Sequence, residues 1–401
     1  MGNWERHGIQ SEKHNKRRLK NQAEEGSGMV HQHKNQGVSL EASSPTMGSV
    51  VSGGTHCLAV GEGSERDGLG ESRIADSGVE AQKDFMREGE RTLHDAIYLL
   101  GIRLLRGCSR LVPPGTDLWR VNDLASKLAG SLSNGHRIVV RSRDGRRFCL
   151  DPKEKQYHMG LLGTGVYEPV ETRVVMACVS EGDIAFDVGA NIGWYTTLLS
   201  RLVGHRGTVH AFEPLASTYQ VLTGNCKLNE CLNVVLNNIA LGDREGRVTM
   251  HYYPDEACGN ASMVRMSTAS SIQSTCGLTT LDAFVLKHHV NRCDFIKCDA
   301  EGAEMAFITG ASRTLRQFEP SLLIELNPHI FAVAGYSSAD LLRKILECGP
   351  YRFYSVDRGN YEELIDLETS NGVVGHHNVL CVSEQSAMFK RIASASGTQA
   401  S

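Results

Sequence analysis

Three acids in this sequence each end a short apolar run. Asp187 closes Ile184-Ala-Phe, Glu213 follows Thr208 to Phe212, and Asp299 follows Phe295-Ile-Lys-Cys298. Each run reads as a β-strand, and open α/β sheets bind their ligands at the carboxyl ends of such strands. A carboxylate can accept from both vicinal hydroxyls of a ribose. Glu213 lies 24 residues after Gly189, close to where a ribose-binding acid is expected. Singly, each acid also fits a helix cap or a solvated loop end. Together they favour a nucleoside ligand.

The glycines narrow that ligand. Gly189-Ala-Asn-Ile-Gly193 lets the backbone pass close to a ligand and lets the following helix pack tightly. The N–H groups at the helix start are expected to face a polar or anionic group. The third glycine of the dinucleotide fingerprint is missing, so a pyrophosphate fits poorly. S-adenosylmethionine has a ribose and an adenine but no phosphate, and Asp187 and Asn191 are placed to meet its amino-acid end.

These residues need a scaffold, and the chain supplies an alternation. Strands are expected at 183–188, 208–212, 234–239, 294–299, 321–326, 351–356 and 378–382, with helices at 192–203, 217–228, 281–289, 302–317 and 338–348. Strand and helix in turn predict an α/β fold with a parallel sheet and right-handed crossovers. Segments 248–253 and 262–266 read as extra strands or loop. Upstream, Ile138 to Ser142 and Arg147 to Leu150 form a hairpin about Asp144-Gly145, and Pro169 fits the first turn of a helix.

The flanks are different in kind. Residues 1–84 are rich in Gly, Ser, Glu, Gln and His without hydrophobic period, and are expected to be disordered. Their basic run Lys13 to Lys20 reads as part of a solvated tail. Residues 85–159 are expected to form a helical and hairpin extension with an apolar stripe at Leu93, Ile97, Leu100, Leu104 and Leu105. The main domain then covers 160–384, and 385–401 is a short tail. The net charge of −4 gives no general pull toward nucleic acid or an anionic membrane. No run is long and apolar enough to span a membrane, and no signal peptide is evident, so the reading is an intracellular, cytoplasmic protein. Twelve cysteines without a Cys-x-x-Cys read as free thiols, and no metal site is expected.

Taken together, Asp187-Val-Gly-Ala-Asn-Ile-Gly193, Phe212-Glu-Pro214, Asn225 with Asn229, Leu281-Asp282, Ile296-Lys-Cys-Asp-Ala-Glu-Gly-Ala-Glu304, Gly310 and Ile324-Glu325 resemble the FkbM family of S-adenosylmethionine-dependent methyltransferases. Tyr167-Glu-Pro-Val-Glu-Thr172 resembles the segment preceding that family's core. Ala300, where valine is more usual, is a small departure. The resemblance implies a Rossmann-like class I methyltransferase fold: a seven-stranded, mostly parallel sheet with helices on both faces and the last strand antiparallel. It implies that Asp187, Gly189, Asn191 and Gly193 hold the cofactor's methionine end and Glu213 the ribose. Asn238 or Ala240 would lie near the adenine. Asp299 and Glu301 would face the methyl group, and Tyr167, Glu168 and Thr172 would cover the site.

The family's usual chemistry is methylation of a hydroxyl oxygen on a sugar or natural product. An alcohol acceptor gains from alignment and from a base; Asp299, Glu301, Lys297 and Glu325 are candidates, and the sequence does not choose among them. Glu304, taken as one helical turn beyond Glu301, reads as structural. The expected partner is a small-molecule or glycan hydroxyl acceptor, its pocket shaped in part by 251–277. Asn327-Pro-His-Ile330 resembles a nucleic-acid methyltransferase motif but follows the wrong strand, and a nucleic-acid substrate is disfavoured. The alternatives are a non-catalytic cofactor-binding or scaffolding module on the same fold, and a dehydrogenase.

Overall fold

The structure is a computed structural model that describes residues 100, 137–150, 161, 164–252, 261–265, 271–356, 362–364, 377–386 and 388–389. The tail expected over 1–84 and, apart from Leu100, the helices expected over 85–133 lie outside the described residues, as does most of the tail from 385.

The described chain opens with β1 (Ile138–Arg141) and β2 (Arg147–Leu150), then α1 (Pro169–Cys178). The alternating core follows: β3 (Ile184–Val188), α2 (Trp194–Val203), β4 (Thr208–Phe212), α3 (Ala216–Leu228) and β5 (Val234–Asn237). An insertion then forms β6 (Ala240–Leu241), β7 (Gly246–Tyr252), β8 (Ala261–Ser262) and β9 (Ile272–Thr279). The core resumes with α4 (Leu281–Lys287), β10 (Phe295–Cys298), α5 (Glu304–Gly310), α6 (Ser312–Phe318) and β11 (Ser321–Leu326). It ends with α7 (Pro328–Ala334), α8 (Ser338–Leu346), β12 (Tyr351–Ser355), β13 (Glu362–Glu363) and β14 (His377–Ser383).

The main sheet runs β13-β12-β14-β11-β10-β3-β4-β5. Pairing is parallel from β11 through β10, β3 and β4 to β5, while β14 runs antiparallel to both β11 and β12. The seven expected strands are all present in the expected sense, and the two-residue β13 adds an edge. Strand order reverses between β3 and β10. The crevice outside the carboxyl ends of these two strands is therefore the binding position of the fold.

Alternation along the strands divides the core. Ala185, Val209, Phe295, Leu323 and Leu380 face one layer, with Val174 and Val175 of α1 and Leu198 and Leu199 of α2. Phe186, Phe212, Ile296, Ile324 and Val379 face the other, with Phe284, Phe307, Leu315, Phe331 and Leu341 from α4 to α8. Side chains successive along a strand point to opposite faces, so one sheet carries two helix layers.

The hairpin is fastened to α2 and α3 by polar side chains. Asn225 Oδ1 accepts from Cys149 N–H at 2.7 Å and Asn229 Oδ1 from Arg147 N–H at 2.8 Å. Asn229 Nδ2 donates back to Arg147 O at 2.7 Å. The Arg146 guanidinium is fully buried. It lies over the Trp194 ring at 4.1 Å, donates to Thr197 Oγ1 at 2.9 Å and to Trp194 O, and pairs with Asp144 at 2.8 Å.

Three local expectations change. The helix expected over 302–317 is two helices, α5 and α6, broken at Ala311. A Cβ on Gly310 would lie 1.9 Å from Gly242 O, so the end of α5 is pressed against the insertion. Asp282 then receives the start of α6, accepting from Arg313 N–H and Thr314 N–H at 2.9 and 2.7 Å. Helix α7 was not anticipated; Pro328 sits in its first turn and Asn327 caps it by accepting from Ile330 N–H at 3.3 Å. That cap is the structural use of the Asn-Pro-His-Ile segment. Strand β9 was not anticipated either, because its face is half-buried and rich in Ser, Thr and Gly.

Candidate functional site

The turn after β3 is built by close approach. Gly189 has φ 76, and a Cβ there would lie 1.8 Å from Asp299 O, so only glycine fits. Gly189 N–H and Ala190 N–H both donate to Phe212 O, at 3.1 and 2.9 Å. Asn191 takes a left-handed φ of 51, and Gly193, with φ 92, precedes α2. Asn191 N–H donates to Glu213 Oε2 at 3.0 Å. One of the donors expected to await a ligand is thus already engaged by the neighbouring acid.

Glu213 is buried and also accepts from Leu215 N–H at 2.9 Å through Oε1. Burial pushes its carboxyl up to about 7, against the two N–H groups that favour the charge. A carboxylate offers about four lone-pair positions, so capacity for two further donors remains. Asn238 Nδ2 donates to Glu213 O at 2.8 Å and Pro214 O at 3.1 Å, which holds the loop after β4. Ala240 is buried with Leu215, Met250 and Leu278.

Asp187 is 1% exposed and stands beside Lys297 in the β3–β10 register. Thr196 Oγ1 donates to its Oδ2 at 2.5 Å, and burial pushes its carboxyl up to about 6. Lys297, equally buried, pairs with Asp299 at 3.5 Å, and its ammonium lies 5.3 Å from the centre of the Tyr195 ring. Burial pulls the ammonium down, but Asp299, Glu168 and Glu325 outweigh it and hold Lys297 above the usual lysine range.

A carboxylate cluster lies beside that ammonium. One oxygen from each of Asp299, Glu301 and Glu325 lies within 4.8 Å of the others. Glu301 sits in a left-handed turn with φ 48, not on α5 as the sequence implied. Burial first, then Asp299, Glu325 and Glu304, push its carboxyl up to about 10. Glu304 opens α5 and accepts from Ala300 N–H and Gly302 N–H, both at 2.9 Å. It shapes the turn that presents Glu301, which agrees with its reading as structural.

Two further segments meet here. Glu168 has φ 43 at the start of α1, and Tyr195 O–H donates to its Oε2 at 2.5 Å. Burial raises the Glu168 carboxyl, while Lys297 opposes that. Trp194 Nε1 donates to Thr172 Oγ1 at 3.1 Å, and the Tyr167 ring meets Trp194 edge-on at 6.1 Å. From the insertion, Ser262 Oγ donates to Glu301 O at 2.5 Å. His288, His289 and His329 are exposed.

Among the predicted residues, Asp187, Lys297, Asp299, Glu301 and Glu168 are thus linked around one ammonium, and Gly189, Asn191, Gly193, Glu213 and Asn238 around the adjoining turn. Thr172 and Tyr167 pack behind Trp194, while Ala240 lies in the core of the insertion. Sequence reading missed Tyr195, Thr196 and Arg146. The first two sit in the opening turn of α2, eight and nine residues after Asp187, a spacing that returns a helix to its own strand end.

The donor set fits S-adenosylmethionine. Glu213 keeps acceptor capacity for a ribose. Beside it, the carboxyls of Asp299, Glu301 and Glu325 outnumber the one ammonium of Lys297, acidic surroundings suited to a sulfonium and an α-ammonium. Topology, glycine turn and strand-end acids define a methyltransferase domain of the S-adenosylmethionine-dependent class.

Comparison with known proteins returns similar sequences and folds. Residues 187–353 match the family described as the methyltransferase FkbM domain. It is 40% identical over 75 residues to the 31-O-demethyl-FK506 methyltransferase FkbM of Streptomyces tacrolimicus, a stretch that spans 18% of this chain and 28% of that relative. It is 24% identical over 202 residues to methyltransferase sdnD of Sordaria araneosa, covering 42% of this chain and 77% of that one. Among solved structures, a SAM-dependent methyltransferase from Aquifex aeolicus overlays with a TM-score of 0.30 at 15% identity, over 53% of this chain and 88% of that chain. A SAM-dependent O-methyltransferase from Thermotoga maritima overlays with a TM-score of 0.30 at 11% identity, over 64% and 96%. No helix among the described residues is long and apolar enough to cross a membrane.

Proposed function

We propose that this protein transfers a methyl group from S-adenosylmethionine to a hydroxyl oxygen of a small molecule, sugar or glycan. The observation that carries the reading is the carboxylate cluster of Asp299, Glu301 and Glu325 beside Lys297, set against the turn at Gly189. The sulfonium supplies an already activated methyl group. Asp187 and the turn from Gly189 to Gly193 hold the cofactor's amino-acid end, Glu213 the ribose, and Asn238 the loop beside the adenine. Glu168, Tyr167 and Thr172 close the site from α1.

Asp299 and Glu301 orient the acceptor, and the ion pair with Lys297 holds Asp299 in place. A like-charged carboxylate group retains a proton, and a cation placed beside it drives that proton off. The cluster is then ready to take the acceptor's hydroxyl proton as the new O–C bond forms. Ser262, bonded to Glu301 O, brings the insertion to the acceptor side, which supports a pocket shaped by 251–277. The relative named as a 31-O-demethyl-FK506 methyltransferase supports an oxygen acceptor.

An acceptor screen with methyl-labelled cofactor tests the reading. Label is expected in hydroxylated small molecules or glycans as an alkali-stable ether. Label transferred to nitrogen, or cofactor binding without transfer to any acceptor, sinks the oxygen chemistry. The second outcome favours the scaffolding alternative.

A further inference from the structure

The carboxyl end of α3 carries a thiol pair for which the methyl-transfer reading has no use. Glu230 takes a left-handed φ of 54. Its N–H donates to Lys227 O at 3.1 Å, and Cys231 N–H donates to Cys226 O at 3.0 Å. These two bonds form a Schellman turn, which brings together the side chains at the two ends of the longer bond. Here they are Cys226 and Cys231. With the N···O distance at 3.0 Å, covalent dimensions hold the two Cα atoms within about 7 Å, the outer limit for a bridgeable pair.

Each thiol shapes the electrostatic surroundings of the other. Cys231 is part-exposed, while Cys226 is buried against Ala190, Ala211 and Leu222. The neighbouring Cys226 thiol, together with Ser200, Arg201 and Arg146, pulls the Cys231 thiol down to about 7 despite burial. A part-exposed thiol with thiolate character and a buried thiol beside it is the arrangement of a redox pair.

The pair also touches the cofactor turn. Ala190 lies between Gly189 and Asn191 and shares a buried apolar cluster with Cys226. Asn225, the next residue along, donates from Nδ2 to Ile192 O at 2.8 Å. Leu222 fills the space beside Gly193, where a Cβ would come within 2.8 Å of its Cδ1.

We propose that Cys226 and Cys231 are a reversible disulfide site oxidised by peroxide, and that the cross-link loosens the floor of the turn from Gly189 to Gly193 and weakens cofactor binding. The second half rests on the reading of that turn as the cofactor's seat. In the first step the Cys231 thiolate attacks one peroxide oxygen. The O–O bond breaks, Cys231 becomes a sulfenic acid, and the other oxygen leaves with a proton as water. With the Cys231 charge gone, Cys226 loses its proton more readily. Its thiolate then displaces the sulfenic oxygen, which leaves as a second water, and the S–S bond forms. Two thiols lose two electrons in all, and one peroxide gains them. Drawing the Cys226 sulfur toward Cys231 shifts it within the buried cluster that holds Ala190.

The experiment treats the full chain with hydrogen peroxide and follows two readouts. Peptide mapping without reductant is expected to show Cys226 joined to Cys231, across cleavage at Lys227. Calorimetry is expected to show S-adenosylmethionine binding weakened about tenfold and restored by dithiothreitol. Cys231→Ser is expected to abolish both effects while binding cofactor like the reduced parent. In Cys226→Ser, dimedone is expected to trap a sulfenic acid on Cys231. Failure of the cross-link to form in a protein that binds cofactor overturns the thiol pair. A cross-link that leaves affinity unchanged overturns the gating. A reduced protein that does not bind S-adenosylmethionine overturns the cofactor seat, and gating with it, while the mapping still decides the disulfide.

Discussion

The carbonyl oxygen of Asp299 occupies the place where a side chain on Gly189 would begin: a Cβ built there lies 1.8 Å from it. The end of β3, with the turn proposed to seat the cofactor, and the end of β10, with its carboxylates, are therefore in backbone contact. The methyl donor and the groups proposed to receive the acceptor's proton share one wall.

Gly189→Ala breaks this contact. The new methyl meets backbone, and a residue with a side chain is strained at φ 76. A loss of about 3 kcal/mol or more is expected from the clash and the left-handed conformation together. Thermal unfolding checks it; a melting temperature unchanged from the parent would mean that β3 and β10 do not approach as described.

Glu213 and Asp299 are expected to separate binding from turnover. Glu213→Ala removes the acceptor for a ribose and also frees Asn191 N–H and Leu215 N–H. Cofactor affinity should fall about tenfold or more, the value of one to two hydrogen bonds. Asp299→Asn leaves the shape but removes the charge, so kcat should fall by about a hundredfold or more with a smaller change in cofactor affinity. The same small effect from both would relocate the site.

Cofactor affinity should depend on pH through Glu301. Its carboxyl, pushed up to about 10, holds a proton in the free protein at neutral pH. A sulfonium beside it favours the ionised form, so binding releases a proton. Affinity should therefore tighten as pH rises toward about 10 and level off above it. Calorimetry in buffers of different ionisation enthalpy reads the proton directly; uptake instead of release would contradict the placement of the sulfonium.

Stability should fall as pH rises across neutrality. Burial holds Glu213 and Glu304 each at about 7 in the folded chain, whereas an unfolded Glu titrates near about 4.3. Groups raised in this way contribute fully below the unfolded value, and the contribution is lost as pH rises through the folded one. His210, lowered by burial to about 4, acts in the opposite sense only up to its unfolded value near about 6.5. Between about pH 6.5 and 8 Glu301, raised to about 10, adds to the decline and the Cys231 thiol, lowered to about 7, opposes it; three carboxyls outweigh one thiol, and the melting temperature should decline. Glu213→Gln should flatten that decline, and a rising profile would refute the burial argument.

Arg146→Lys tests the hairpin. A lysine keeps the charge but loses the planar fork that meets Asp144, Thr197 and Trp194 O. With a buried carbonyl and hydroxyl left short of donors, about 2–4 kcal/mol of stability should be lost. Cofactor affinity should fall as well, because Trp194 opens α2. Denaturant titration with a binding assay separates the two effects.

Much of this was legible along the chain, and the rest was not for identifiable reasons. Asp187, Glu213 and Asp299 could be read because each is defined by its own strand, and strand ends are local. The elbow at Glu301 was hidden, since a left-handed turn before α5 looks in sequence like one more helical turn. Tyr195 and Glu168 meet only because α1 and α2 pack together, which no spacing along the chain encodes. Arg146 lies beside the Asp144-Gly145 turn; its burial exists only after the hairpin docks on Trp194. Strand β9 was concealed by polar alternation on a half-exposed sheet.

The insertion from β6 to β9 is riveted to the core at two points. Gly242 presses against Gly310 at the end of α5, and Ser262 is bonded to the carbonyl of Glu301. A designer who wished to transplant the acceptor side of one such enzyme onto the cofactor side of another could not cut at β6 and β9 alone. The graft must carry its own Ser262 and a matching Gly310, or the imported loop arrives unmoored from the residue it is meant to serve. In lineage terms, the same rivets tie changes in substrate range to changes in α5, and this segment should diversify in step with the loop.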